Sequence, residues 1–287
     1  MHTFQGSAPV SRLPERWVRL GRTGRWAGFT LCGLIGLVLA FGWTMTLAIT
    51  TGHPAWLVPL MAGTMVTALV VTAELEVLFT GRPRLVCFHS EVAALAAAAG
   101  VVALAGQPIL PALDIASPGL AAFLACGRIG CLVAGCCHGL PAARGIRYGP
   151  RHVKEGLAPE YAGVPLLPVA AIEAVGLMVV AVITTVVVLT PAAAGTALAG
   201  YLLMHVGLRF WLEFLRGDRG RPRFGGLSEA QWTALGVTGA LVWAVSGGWT
   251  GLPLWLPLTV AATLVTGVVL IAEPRPRTAK LGADGRA

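Results

Sequence analysis

Residues 26–272 fall into a succession of apolar runs, each close to twenty residues long and joined by short polar or basic links. A helix needs about 20 mostly apolar residues to cross a hydrocarbon core about 30 Å thick. In that solvent each backbone N–H and C=O must be satisfied inside its own segment, a condition that helices meet. The runs lie near 26–50, 55–79, 91–106, 119–137, 166–190, 196–215, 229–248 and 253–272. They predict an all-α, polytopic membrane helical bundle of seven to eight transmembrane helices. Charge content agrees, since only 12% of residues are charged and 56% are hydrophobic, with a mean hydropathy of +0.76. Soluble domains carry about 25% charged residues, so a water-soluble enzyme of this length is excluded.

Three regions follow from the same pattern. A basic N-terminal arm, 1–25, holds Arg12, Arg16, Arg19, Arg22 and Arg25 against the single Glu15. The transmembrane domain spans 26–272, and 273–287 reads as a basic, disordered tail. The first apolar run far exceeds the ~7–15 residues of a signal-peptide core, so it reads as a helix that stays. The net charge of +8 does not point to nucleic acid, because the basic residues sit in links between apolar runs. Such links set topology and touch anionic headgroups. Of 21 Lys and Arg residues, Arg128 and Arg209 fall inside apolar runs, and the other 19 share one side if eight helices cross. Links 51–54, 107–118, 191–195 and 249–252 carry none. Charge bias therefore puts both termini in the cytoplasm.

An arginine at membrane depth costs about 2.5–3.5 kcal/mol on insertion scales, so it faces a partner or a polar cavity. His205, Arg209 and Glu213 recur every fourth residue and line one helix face. Arg216 lies three residues further on, at the expected water boundary. The plain reading of this face is an Arg209–Glu213 ion pair that holds helices together. Arg128 stands between Gly127 and Gly130, with Gly135 and Gly139 following, and small residues let a helix or a headgroup approach closely. Two guanidinium forks in a dry site suit a phosphate group bidentately, which points to a phospholipid headgroup. The other reading pairs Arg128 structurally with Glu173 or Glu213. Cys131, Cys136, Cys137 and His138 form a Cys-x4-Cys-Cys-His cluster that a soft metal or a reactive thiolate would use. Adjacent cysteines rarely chelate one ion together, so small apolar packing is the default here, and no cofactor is expected.

The run Gly127-Arg128-Ile129-Gly130 and the run from Arg209 through Glu213 to Arg216 resemble the prolipoprotein diacylglyceryl transferase family. That family has a Gly-Arg-Ile/Leu-Gly-Asn-Phe-Ile-Asn stretch and, two helices later, Arg-x-x-x-Glu-Phe-Phe-Arg. Gly139, Phe88-His89, Pro168 and Glu173 fall where the family has matching residues. The likeness covers about 75–245. It implies transfer of a diacylglyceryl group from phosphatidylglycerol to the lipobox cysteine of a prolipoprotein, with glycerol phosphate leaving. It gives catalytic roles to Arg128, Arg209 and Glu213 and makes His89 the candidate base. Gly127, Gly130, Gly139, Glu173, His205 and Arg216 become substrate contacts. The implied location is the bacterial inner (plasma) membrane, with phospholipid and lipobox peptide as partners.

Cys131, Ala134 and Cys136 replace family Asn, Asn and Glu, Leu167 replaces a His, and the first run holds no Tyr. The resemblance also puts the basic links after both motifs outside the cell, whereas charge bias puts them inside. Two other functions remain open: transfer of a lipid-derived group to a different acceptor, and non-catalytic phospholipid binding or transport.

Overall fold

A computed structural model describes residues 25–80, 87–154, 157–217 and 223–272; the basic arm and the tail lie outside the described residues. Eight long helices follow the apolar runs: α1 (Arg25–Thr50), α2 (Leu57–Thr80), α3 (Cys87–Leu104), α4 (Ile109–Ala134), α6 (Val169–Leu189), α7 (Thr196–Leu212), α8 (Glu229–Ser246) and α9 (Trp255–Ala272). The short α5 (Pro150–Lys154) lies in the link between α4 and α6. Among the described residues, five helices, α1, α2, α4, α6 and α7 with its following turn, are long and apolar enough to cross a membrane by length and composition. The chain is thus an all-α polytopic membrane protein, and the count of seven to eight crossings stays an expectation.

The most buried crossing segment is α4, and it packs between α1 and α6. Gly119 and Gly130 explain the close fit to α1. A Cβ on Gly119 would sit 2.8 Å from the Ala40 carbonyl oxygen, and one on Gly130 would sit 3.0 Å from the Phe29 ring. Small residues at such points let two backbones approach where lipid supplies no hydrophobic drive. Residues 107–118 were expected to be a link, yet α4 begins at Ile109 and carries Pro118 inside it. Proline lacks the N–H that would bond to the carbonyl four residues earlier. Here the Ser117 hydroxyl donates to that carbonyl, on Asp114, at 2.9 Å.

Asp114 also joins two helices. Its carboxylate accepts from the backbone N–H of Gly195 at 2.6 Å and of Leu198 at 2.8 Å, at the start of α7. The first turn of a helix has orphan N–H donors and a partial positive charge, so a carboxylate from a neighbouring helix supplies both a partner and a countercharge.

The polar link after α4 is folded rather than loose. Strand β1 (Pro141–Arg147) pairs antiparallel with β2 (Pro165–Leu166), and Tyr148, Leu157 and Leu166 form a small core beneath them. This unit closes the end of α4. The Tyr148 hydroxyl donates to the Leu132 carbonyl at 3.1 Å, and His152 Nε2 lies 3.3 Å from the Val133 carbonyl. Both carbonyls belong to the last turn, whose acceptors have no partner inside the helix. A second two-stranded piece, β3 (Arg223–Phe224) with β4 (Leu227–Ser228), leads into α8. Ser228 and Gln231 form a reciprocal capping box there.

Asp114→Ala should lower the thermal stability of the purified protein by about 0.5–2 kcal/mol, the usual cost of a lost cap. Asp114→Asn, which keeps one acceptor oxygen, should lose less. Equal melting of wild type and Asp114→Ala in detergent would contradict the capping role.

Candidate active site

Four elements bring the charged residues together near the end of the bundle that carries the folded link. Arg128 comes from the last two turns of α4, Glu173 from the first turns of α6, and Arg209 from the last turn of α7. Glu213 opens a 3-10 turn, Glu213–Leu215, that tightens the end of α7. All four side chains are buried, and Glu173 has no exposed surface.

Glu173 is the centre. One carboxylate oxygen lies 3.0 Å from Arg128 Nε and the other 3.5 Å from Arg209 Nη1. A single carboxylate from α6 therefore holds two guanidiniums that come from two other helices. Arg209 also reaches Glu213 Oε2 at 3.7 Å, one helical turn on. The plain sequence readings are thus realised together: Arg209 pairs with Glu213 and Arg128 with Glu173. Both arginines share Glu173, and Arg209 has Glu213 as a second acid.

Arg216 departs from expectation. It is buried rather than at a water boundary, because the folded link closes over it. Gly139 and Arg216 form an isolated β-bridge, Leu140 N–H donates to the Leu215 carbonyl at 3.0 Å, and Gly217 N–H donates to the His138 carbonyl at 3.1 Å. Gly139 is required at this crossing, since a Cβ there would sit 2.7 Å from the Leu167 carbonyl oxygen. Among the described side chains, three guanidiniums and two carboxylates gather here.

The glycines expected to face substrate divide. Gly130 packs against α1 and Gly139 against the Leu167 backbone, whereas a Cβ on Gly127 would meet nothing within 4 Å. His89 begins α3, and its side chain lies outside the described residues. His205 is buried and turns to Glu91 of α3, with Nδ1 3.1 Å from Oε1. The Tyr201 hydroxyl donates to the same Glu91 oxygen. Neither Glu91 nor Tyr201 is a candidate on sequence grounds. Tyr201 nonetheless stands four residues before His205 and continues the same helical stripe, and that is the signal that could have found it.

The thiols form a second group. Cys131 lies in the last turn of α4, and Gly135 ends the helix with φ 71° in the left-handed region, which turns Cys136 and Cys137 back over it. Cys136 and Cys137 have their sulfurs 3.8 Å apart, and Arg128 Nη1 lies 3.9 Å from Cys137 Sγ. The Cys137 thiol is lowered well below its ordinary pKa by hydrogen bonds from Cys131 and Cys136, and also by the guanidiniums of Arg216 and Arg128. His138 does not join the thiols; its Nδ1 is 2.9 Å from the Gly139 carbonyl, and its ring packs on Tyr161.

A small apolar hollow lies between α1, α2 and α4, lined by Leu37, Phe41, Val58, Met65, Leu120 and Phe123 among others.

The helix bundle and its buried, carboxylate-linked guanidinium pair define a polytopic membrane protein with a charged site at one end of the bundle. Comparison with known proteins gives the family. Residues 85–246 match prolipoprotein diacylglyceryl transferase, and the chain belongs to that family. Phosphatidylglycerol–prolipoprotein diacylglyceryl transferase 2 of Clostridium perfringens (strain 13 / Type A) is 33% identical over 127 residues, 44% of this chain. The chain spans about half of that relative's length, 48%.

Breaking a buried ion pair by removing one partner costs about 3–5 kcal/mol, since the other charge is left uncompensated. Glu173→Ala strands two guanidiniums and should destabilise the protein more than Glu213→Ala does. Thermal unfolding of both variants in detergent checks this, and an equal or reversed order would contradict the central place of Glu173.

Proposed function

We propose that this protein transfers a diacylglyceryl group from phosphatidylglycerol to the lipobox cysteine of a prolipoprotein, in the bacterial inner (plasma) membrane. The observation that carries the reading is the convergence of Arg128 and Arg209 on one buried carboxylate. Two guanidiniums held that close, from α4 and α7, present their donors to one small anion as well as to Glu173. Family membership and the relative's name supply the substrate pair.

The reaction needs little beyond charge and position. A thiolate sulfur of the acceptor attacks the glycerol carbon that bears the phosphate ester. The carbon–oxygen bond breaks, and glycerol phosphate leaves with the electron pair. Negative charge grows on the departing phosphate oxygen, and Arg128 and Arg209 are placed to stabilise it in a water-poor site. Glu173 and Glu213 orient the two guanidiniums and limit their mutual repulsion before the lipid arrives. The thiol proton goes to a base within reach. His89 holds that role by resemblance. His205, oriented by Glu91 as imidazoles often are by a carboxylate, is a second candidate that this geometry favours.

Purified protein given labelled phosphatidylglycerol and a lipobox peptide should yield a thioether-linked peptide. Headgroup release without peptide labelling would point to another acceptor, and lipid binding alone to a non-catalytic role. Arg128→Ala and Arg209→Ala should each lower turnover by about 10²–10³-fold, the scale of a lost charge-stabilising donor, while the protein stays in the membrane. Arg209→Lys should also be impaired, because an ammonium lacks the planar fork. Full turnover in both alanine variants would remove the phosphate-clamp reading.

A further inference from the structure

We propose that Cys131, Cys136 and Cys137 form a binding site for a soft, thiophilic cation, Zn²⁺ or Cu⁺, at the end of α4. The three sulfur atoms all lie within 4.8 Å of one another, and Cys136 and Cys137 are 3.8 Å apart. An ion bound at about 2.3 Å to each of three sulfurs holds them about 3.8–4.0 Å apart. The thiols therefore stand within roughly an ångström of a coordinating arrangement. Adjacency of Cys136 and Cys137 argues against joint chelation in an extended chain, where neighbouring side chains point apart. The 3.8 Å separation of their sulfurs answers that objection, and the left-handed turn at Gly135 carries both residues back towards the last turn of α4. Cys136 Sγ lies 3.8 Å from the Cys131 carbonyl oxygen, so the fold of this turn and the grouping of the sulfurs are one feature.

Charge supports the same assignment. Three thiolates around Zn²⁺ carry one net negative charge, and around Cu⁺ two. A buried anionic complex needs a cation beside it, and Arg128 Nη1 is 3.9 Å from Cys137 Sγ. All three ligands are sulfur, which selects thiophilic ions over Mg²⁺ or Ca²⁺. Three protein ligands also leave a fourth coordination position, as in zinc sites that bind an exogenous group.

Two other uses of the thiols fare worse chemically. If Cys137 took the diacylglyceryl group itself, the product would be a thioether, and an acceptor thiol does not displace an unactivated thioether sulfur. Such a protein would stop after one turnover. A disulfide between two of the three would require an oxidant that nothing here supplies.

The test uses the full-length protein purified in detergent under reducing conditions, loaded with Zn²⁺ or with Cu⁺. Elemental analysis should find about one bound ion per chain, as expected for a single site. X-ray absorption at the zinc and copper edges then tells which ion is held and shows about three sulfur neighbours near 2.3 Å. Cys131→Ser, Cys136→Ser and Cys137→Ser should each weaken retention by about tenfold or more, whereas Cys32→Ser and Cys126→Ser should not. A variant-free readout guards against misfolding: metal should protect these three thiols from alkylation in the wild type, read by peptide mass spectrometry. Absence of stoichiometric metal after loading, or equal alkylation with and without it, would overturn the proposal.

Discussion

Two guanidiniums at membrane depth repel each other, and each is costly to bury alone. Glu173 resolves both problems at once. With no exposed surface, it lies within ion-pair distance of Arg128 and of Arg209. The relative positions of α4, α6 and α7 follow from that sharing, because one carboxylate has to be reached from both sides. On the proposed function, a lipid phosphate meets two guanidiniums that Glu173 has already brought together, so little reorganisation is needed when charge develops.

The rest of the fold holds this centre in place. Gly119 and Gly130 let α4 sit against α1, and Asp114 ties α4 to the start of α7 at the opposite end of both helices. At the charged end, the link between α4 and α6 folds over the last turn of α4 through Tyr148 and His152. The same link crosses the backbone of Arg216 at Gly139, which buries a third guanidinium beside the pair. The folded link thus closes the site at that end of the bundle.

Much of this was legible from residue order alone. Length and hydropathy of the runs foretold the helices, and the costs of burying Arg128 and Arg209 singled them out before any geometry. The stripe His205, Arg209, Glu213 followed from helical period. Other features were hidden for physical reasons. The start of α4 was misplaced because Pro118 and Asp114 look like link residues, and only their partners, Ser117 and the α7 terminus, show that a helix tolerates them. That Glu173 is shared rather than private is a tertiary fact, invisible in spacing. Burial of Arg216 depends on a loop crossing, and the gathering of Cys131, Cys136 and Cys137 depends on the sign of one φ angle at Gly135.

The account rests on Arg128 and Arg209 acting on the same phosphate, and a double-mutant cycle on lipid binding addresses that directly. Dissociation constants for phosphatidylglycerol would be measured with wild type, Arg128→Ala, Arg209→Ala and the double variant, beside a neutral diacylglycerol as control. Groups that share one ligand are non-additive, with coupling of about 0.5–3 kcal/mol. Coupling for phosphatidylglycerol and none for the neutral lipid is the predicted result. Strictly additive losses, or equal losses for both lipids, would contradict it.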